Sequence, residues 1–305
     1  MSSIETNQRL SRPVQRSSTN ALASLSDSLV QRPALLVLPV LGFMACFFGY
    51  PIVLMIARSF TDFPEGAGLG IDNYVWLFGD ATNARVFIRT LLSAGLVTLL
   101  CLLIGYPYAY LLTVVSRKWR AILLIMVLVP FWTSFMVRNY AWLILLQRQG
   151  VINDLLDRIG VGRVDLIGNL SGVMVGMTHI MLPFLILPLF ANLQKIDRTL
   201  LVAAQSLGAT PMVAFIKVYL PLSLPGVIAG SLIVYVLALG FYITPALLGS
   251  PQNSLISQLI ATQASTLLAW GRAGAMGTVL LLITLVLVWL ALKADPSAKT
   301  AGDKL

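Results

Sequence analysis

An all-α, polytopic membrane protein with six transmembrane helices is the fold this sequence predicts, and three observations predict it. Hydrophobic residues fill 58% of the 305 positions and charged residues 11%, with a mean hydropathy of +0.86. A soluble domain carries about 25% charged residues. The apolar residues come in blocks near the roughly 20 residues a helix needs to cross about 30 Å of hydrocarbon. All 12 Asp and Glu residues fall between or beyond those blocks, as the cost of a carboxylate in lipid demands.

The elements follow in order. Residues 1–33 are a polar tail with Arg9, Arg12, Arg16 and Arg32 among many Ser, Asn and Gln, too polar to fold alone. The block behind it is too long for a secretory signal and has no small-residue cleavage site. Spans are expected at 34–57, 87–115, 121–146, 172–193, 225–248 and 275–292, with polar loops at 58–86, 147–171 and 249–274. Arg117-Lys118-Trp119-Arg120 makes a short basic turn. The chain thus divides into a tail, a membrane domain at 34–293 with its core at 87–293, and a second tail at 294–305.

Charge sets the expected orientation. Placing both termini in the cytoplasm puts 13 of the 21 Lys and Arg residues there, whereas the outer loops carry seven basic and seven acidic residues. That bias is the positive-inside pattern. The net charge of +9 is therefore a statement of topology, with no nucleic-acid partner implied.

One loop, 194–224, is amphipathic rather than merely polar. Asp197 is placed to cap a helix in which Leu200, Leu201, Ala204 and Leu207 share a face. Gly208 stands where that helix should end. Thr210-Pro211 then reads as a fresh cap and first turn, followed by a stripe of Met212, Phe215, Ile216 and Tyr219. Pro221 and Pro225 are expected to stop this second short helix before the fifth span. The result is two short helices joined by a glycine elbow, with small Ala203 and Ala204 admitting a close partner.

Ala203-Ala204, Gly208 and Val218-x-Leu220-Pro221 resemble the EAA loop of permease subunits in binding-protein-dependent ABC importers. In that family the loop is the coupling helix that fits a groove on the ATPase. Val202 departs from the pattern, standing where the family usually has Glu, so that a polar contact is lost or passes to Gln205. The segments PFWTSFMVRNYAW (130–142), GYPYAYLL (105–112), HIMLPFLILPL and LGFYITPALLG are similar to the spermidine/putrescine branch. The likeness runs from about Ala34 to Leu292. It implies the type I ABC importer transmembrane-domain fold and a translocation role without enzymatic activity. It also implies four partners: an ATP-binding subunit dimer, a second, non-identical permease, a periplasmic solute-binding protein and membrane lipid. No cofactor is bound by this chain, and ATP is used by the partner ATPase. No Walker-type Gly-rich Lys motif occurs here.

Arg138 lies within the expected third span, where a charge by default marks function. One reading is that it orients the span and caps carbonyls of a neighbour. The other is that Trp132, Arg138, Tyr140 and Trp142, with Tyr235 and Tyr242 of the fifth span, line the path. With no span carboxylate, a cation would pass over aromatic faces, Tyr106, Tyr108 and Tyr110 included, at about 0.5–2 kcal/mol each. Affinity would then reside in the binding protein.

Smaller signals are structural. Gly172-x-x-x-Gly176 and Gly226-x-x-x-Gly230 suit close helix crossings, and Pro183, Pro188 and Pro245 interrupt their helices. Gly66-x-Gly68-x-Gly70 follows no strand and is no nucleotide site. His179, the only histidine, is mid-span, and Cys46 and Cys101 both lie in apolar blocks. An intramembrane lipid-modifying enzyme needs gathered carboxylates, His or nucleophiles, and an ion-coupled carrier needs buried ionisable groups; neither set is present. Another small organic solute, an opine or amino-acid derivative, fits the same architecture.

Overall fold

The computed structural model describes residues 33–63, 66–67 and 70–294. The two expected tails lie outside them, except that Pro33 and Ala294 belong to the terminal helices. The chain forms two compact units, one up to Leu54 and one from Met55 onward. The first contains α1 (Pro33–Met44), a π-turn (Ala45–Gly49) and the opening of α2 (Tyr50–Thr61). No residue from Val37 to Leu54 is buried, and Phe43 stacks on Phe47 at 4.4 Å. A helix apolar on every side is one made for lipid or a partner.

The second unit is organised around three mutually packed helices, α4 (Ala81–Val114), α8 (Leu170–Leu193) and α11 (Leu220–Leu239). Val97, Cys101 and Ala109 of α4, Met177, Leu185 and Leu189 of α8 and Val234 of α11 form its core. Small residues set the spacing. Gly230 rests on the backbone of Leu185, and Gly226 faces Asn192, where a side chain would collide. Gly176 does the same against Thr244 and Leu248, so the second glycine pair and Gly176 sit at helix crossings, whereas Gly172 lies against the Leu166 carbonyl of the preceding loop. A third set was not foreseen. Gly271, Gly274 and Gly277 of α14 (Trp270–Ala294) let that helix lie against the backbone at Met55, Ser59 and Asp62. Asn73 ties the same corner, donating to the carbonyls of Ser59 and Asp62 at 3.0 Å each.

Several expected boundaries are corrected. The 58–86 loop contains a two-residue antiparallel bridge (Asp62–Phe63 with Gly66–Ala67) and α3 (Asp72–Gly79). The second span starts at Ala81, because Asp80 caps it by accepting the Thr82 N–H at 2.7 Å. The third span is not continuous. It is α5 (Arg117–Trp132) and α6 (Phe135–Leu146), with a bend of 99° between α5 and the segment that begins at Phe135. The Thr133 N–H and hydroxyl both donate to the Pro130 carbonyl, and Thr133 is itself extended. That local bond competes with the next helical turn and ends α5. Counting the bent pair as one, six segments among the described residues are long and apolar enough to cross a membrane.

The 147–171 loop carries its own helix, α7 (Val151–Arg158), held by buried Asn153. Its amide donates to the Gln147 carbonyl, and its oxygen accepts from the Val164 N–H. Pro221 and Pro225 do not stop a helix. α10 (Pro211–Ala214), a π-turn (Phe215–Tyr219) and α11 make one run, Pro211–Leu239. The wide turn comes just before Pro221, with Leu220 N–H bonded to the Phe215 carbonyl. That is how a helix accommodates a proline ring that would otherwise meet the carbonyl four residues back. The fifth span ends at Leu239 rather than 248. α12 (Ile243–Leu248), a 3-10 turn (Pro251–Asn253), α13 (Ile256–Ala261) and a π-turn (Thr262–Thr266) fill the way to α14.

Candidate functional site

The loop between α8 and α11 contains α9 (Thr199–Ser206). Asp197 Oδ1 accepts the Thr199 N–H at 2.9 Å. The Thr199 backbone and hydroxyl together hold the Asp197 carboxyl below the usual carboxylate range. At the other end, Ala209 N–H bonds the Ala204 carbonyl and Gly208 N–H bonds the Gln205 carbonyl. This pair of bonds is a Schellman closure, and it requires a left-handed residue. Gly208 supplies it with φ +90°. Thr210 then caps the next helix, accepting from Val213 N–H at 3.4 Å, with Pro211 in the first turn. The glycine elbow and both caps are therefore as the sequence predicts; the second arm is the difference, being the long Pro211–Leu239 run rather than a short helix.

Within α9, no residue is buried. Leu201 and Ala204 are half-buried, while Leu200, Val202, Ala203, Gln205 and Gly208 are exposed. Leu207 is 90% exposed, more than any other large apolar residue described. Of the second stripe, Phe215 and buried Tyr219 pack inward, and Met212 and Ile216 stay exposed. Val218 is half-buried, and Leu220 and Pro221 are exposed on the same run. Phe215 and Tyr219 stack at 5.4 Å and meet Tyr110 edge-on at 5.5 and 5.3 Å, joining the loop to α4. Arg198 completes the joint: its guanidinium donates to the Thr113 carbonyl at 2.5 Å and to its hydroxyl at 3.1 Å. Arg120 donates to the Leu112 carbonyl at 2.8 Å. Two arginines thus serve the orphan carbonyls at the end of α4, as favoured at a helix C-terminus. Thr113 and Arg198 are 85 residues apart, and nothing in the sequence pairs them.

The path residues do not gather into one surface. Trp132, at the bend, is 79% exposed, and Tyr140 is exposed on α6. Trp142 donates its indole N–H to His179 Nδ1 at 3.1 Å. Tyr235 donates to the Leu91 carbonyl, Tyr108 to the Leu123 carbonyl, and Tyr106 bonds Ser223, so these hydroxyls are used in helix packing. Tyr242 lines a cavity of about 370 Å³ with Ser250, Ser254, Gln258 and Thr262. Arg138 is half-buried, its guanidinium over the Phe135 ring at 5.5 Å. Next to it, buried Asn139 accepts the Thr244 hydroxyl at 2.5 Å, tying α6 to α12. Sequence reasoning missed that pair, although a polar residue inside an apolar block was the available signal.

The model of the family described as binding-protein-dependent transport system inner membrane component matches residues 101–299. The spermidine/putrescine transport system permease protein PotB of Escherichia coli (strain K12) is 32% identical over 265 residues, covering 84% of this chain and 96% of that protein. PotB of Haemophilus influenzae is 33% identical over 259 residues, 82% of this chain and 90% of that one. In solved structures, a bacterial ABC transporter involved in the import of the acidic polysaccharide alginate is similar in fold. It has a TM-score of 0.66 at 22% identity, covering 89% of this chain and 98% of that chain.

Proposed function

This chain belongs to the family of binding-protein-dependent transport system inner membrane components, and from that premise we propose that it carries a polyamine of the spermidine or putrescine kind, as one half of a heterodimeric permease driven by a separate ATPase. The chain is a multi-pass inner-membrane permease of an ABC importer, a transport protein rather than an enzyme. The proposal concerns cargo, orientation and the manner of coupling.

The observation that carries the coupling role is the uncovered surface of α9. Leu200, Ala203 and Leu207 fall on one helical face and all are exposed, although the helix is capped at both ends. Apolar side chains left bare on a fully capped helix suit a protein groove. The positive-inside bias puts this loop in the cytoplasm, where the ATPase works. Closure of an ATPase dimer would displace α9. The Gly208 elbow would pass that motion to the Pro211–Leu239 run, and the Arg198–Thr113 bonds would pass it to α4.

The cargo reading rests on the polyamine permeases to which the chain is similar. Among the described residues, neither the five single membrane-length helices nor α5 and α6 hold Asp or Glu, so this subunit offers a polyamine weak aromatic contacts and no tight site. Strong retention then belongs to the binding protein, which suits a path that must release what it carries. Calorimetry with the cognate binding protein and uptake of radiolabelled spermidine and putrescine test this directly. Saturable uptake and tight retention of either amine are expected. Retention only of amino-acid-derived solutes would replace the cargo, and labelling of a cysteine at position 208 solely from the periplasm would remove the coupling role.

A further inference from the structure

Arg138 has no ion-pair partner among the described residues. Its Nε is buried and finds no hydrogen-bond partner among the described residues. Asn139 is committed to Thr244, and His179 receives the Trp142 N–H on Nδ1. The ion pairs among the described residues, Arg148–Asp165 and Arg163 with Asp154 and Asp157, lie beyond α6 on exposed loop residues. Among the described residues, neither the five single helices long enough to cross the membrane nor α5 and α6 contain an acid; Asp154 and Asp157 lie beyond α6, on α7. A guanidinium in a span is nonetheless charged, and in a low-dielectric setting it is paired or costly.

The possible sources of negative charge are few. A polyamine is itself a cation. A second copy of this chain brings another Arg138 and no span carboxylate. α6 is meanwhile firmly placed, by Asn139–Thr244 on one side and Trp142–His179 on the other, so the arginine is presented in a fixed position with part of its surface open. We propose that Arg138 pairs, within the membrane, with a carboxylate on a span of the second, non-identical permease. The inference rests on the heterodimeric reading above and sharpens it, because buried charge pairs are best attested as devices that select partner and register. A homodimer would set two like charges in lipid with nothing to neutralise them.

The test uses the whole transporter in its native membrane. Benzoylphenylalanine replaces Ala141, which is exposed and one turn from Arg138. Irradiation is expected to give an adduct with a span of the second permease, located by mass spectrometry near an Asp or Glu. In parallel, Arg138→Glu should lower recovery of the second permease with the tagged chain at least tenfold. Arg138→Lys should keep most of it, and reversing the partner's acid to Arg should rescue Arg138→Glu. An adduct with lipid alone or with another copy of this chain would overturn the pairing, as would unchanged recovery with Arg138→Glu. If Arg138→Glu does not accumulate, the cross-link decides alone. Failure of the wild-type chain to recover any second permease sinks the heterodimer itself; normal recovery that ignores Arg138→Glu sinks only this contact.

Discussion

The two ends of the three-helix core are built from similar pieces and finished differently. At both, a long helix breaks into short ones. At the end holding α12 and α13, the pieces are stitched down. Arg89 donates to the Gln252 and Ser254 carbonyls, Ile256 N–H to the Thr90 hydroxyl, and Gly168 N–H to the Leu248 carbonyl. Leu248, Leu255 and Ile256 are buried beneath them. At the end holding α9, the caps are complete, but between residues 194–219 and α4 the only side-chain hydrogen bonds among the described residues are those of Arg198. Leu207 stands almost wholly in the open. A helix with satisfied ends and bare apolar residues is locally finished and globally unfinished. On the coupling role proposed above, the missing layer is the ATPase.

The largest effect expected from breaking this contrast is at Gly208. Valine at φ +90° forces a β-branched side chain into the left-handed region, costing about 1–3 kcal/mol and displacing the elbow. Gly208→Val should cut solute uptake at least tenfold while immunoblots still find the chain in the membrane. Normal uptake would mean that the elbow transmits nothing. The stitched end should respond in stability instead. Asn139→Leu leaves the Thr244 hydroxyl unpaired in the interior, costing about 1–3 kcal/mol, and should lower the Tm of the detergent-purified complex by several degrees. Adding Thr244→Val should recover much of the loss.

How far these regions could be read beforehand follows the same divide. Gly208, Thr210-Pro211 and Asp197 are legible because a cap or a left-handed turn is encoded by the residue that makes it. The bend at Thr133-Ser134 was not, since it depends on Thr133 turning back to Pro130 rather than continuing the helix. The run through Pro221 and Pro225 was hidden for a related reason: proline signals a stop, and only the π-turn before it cancels the signal. For Tyr106, Tyr108 and Tyr235, composition cannot distinguish an aromatic face offered to cargo from a ring whose hydroxyl is bonded to the next helix.

Two smaller effects sharpen the comparison at the open end. Val202 is exposed on α9, so Val202→Glu loses no buried contact. It should leave membrane insertion unchanged and maintain or strengthen ATPase recovery in a pull-down. Lost association would mean a groove remodelled around valine. The smallest effect is a pH dependence. The Asp197 carboxyl lies below its ordinary value because of the Thr199 bonds. Its cap therefore contributes fully above the ordinary carboxylate pKa of about 3.9 and is lost as pH falls through the lowered one. Hydrogen exchange at the Thr199 amide should stay slow down to that range and quicken below it. Asp197→Asn should remove the dependence.

The unbroken helix through Pro221 has a mechanical consequence. With 29 residues from Pro211 to Leu239 at about 1.5 Å each, it is a strut of about 43 Å. Swung about one end by about 5°, such a strut carries its far tip roughly 4 Å, close to the width of a methylene chain. On the proposed coupling, a small nudge near Gly208 would be magnified at the far end of this strut into a displacement on the scale of a slender solute.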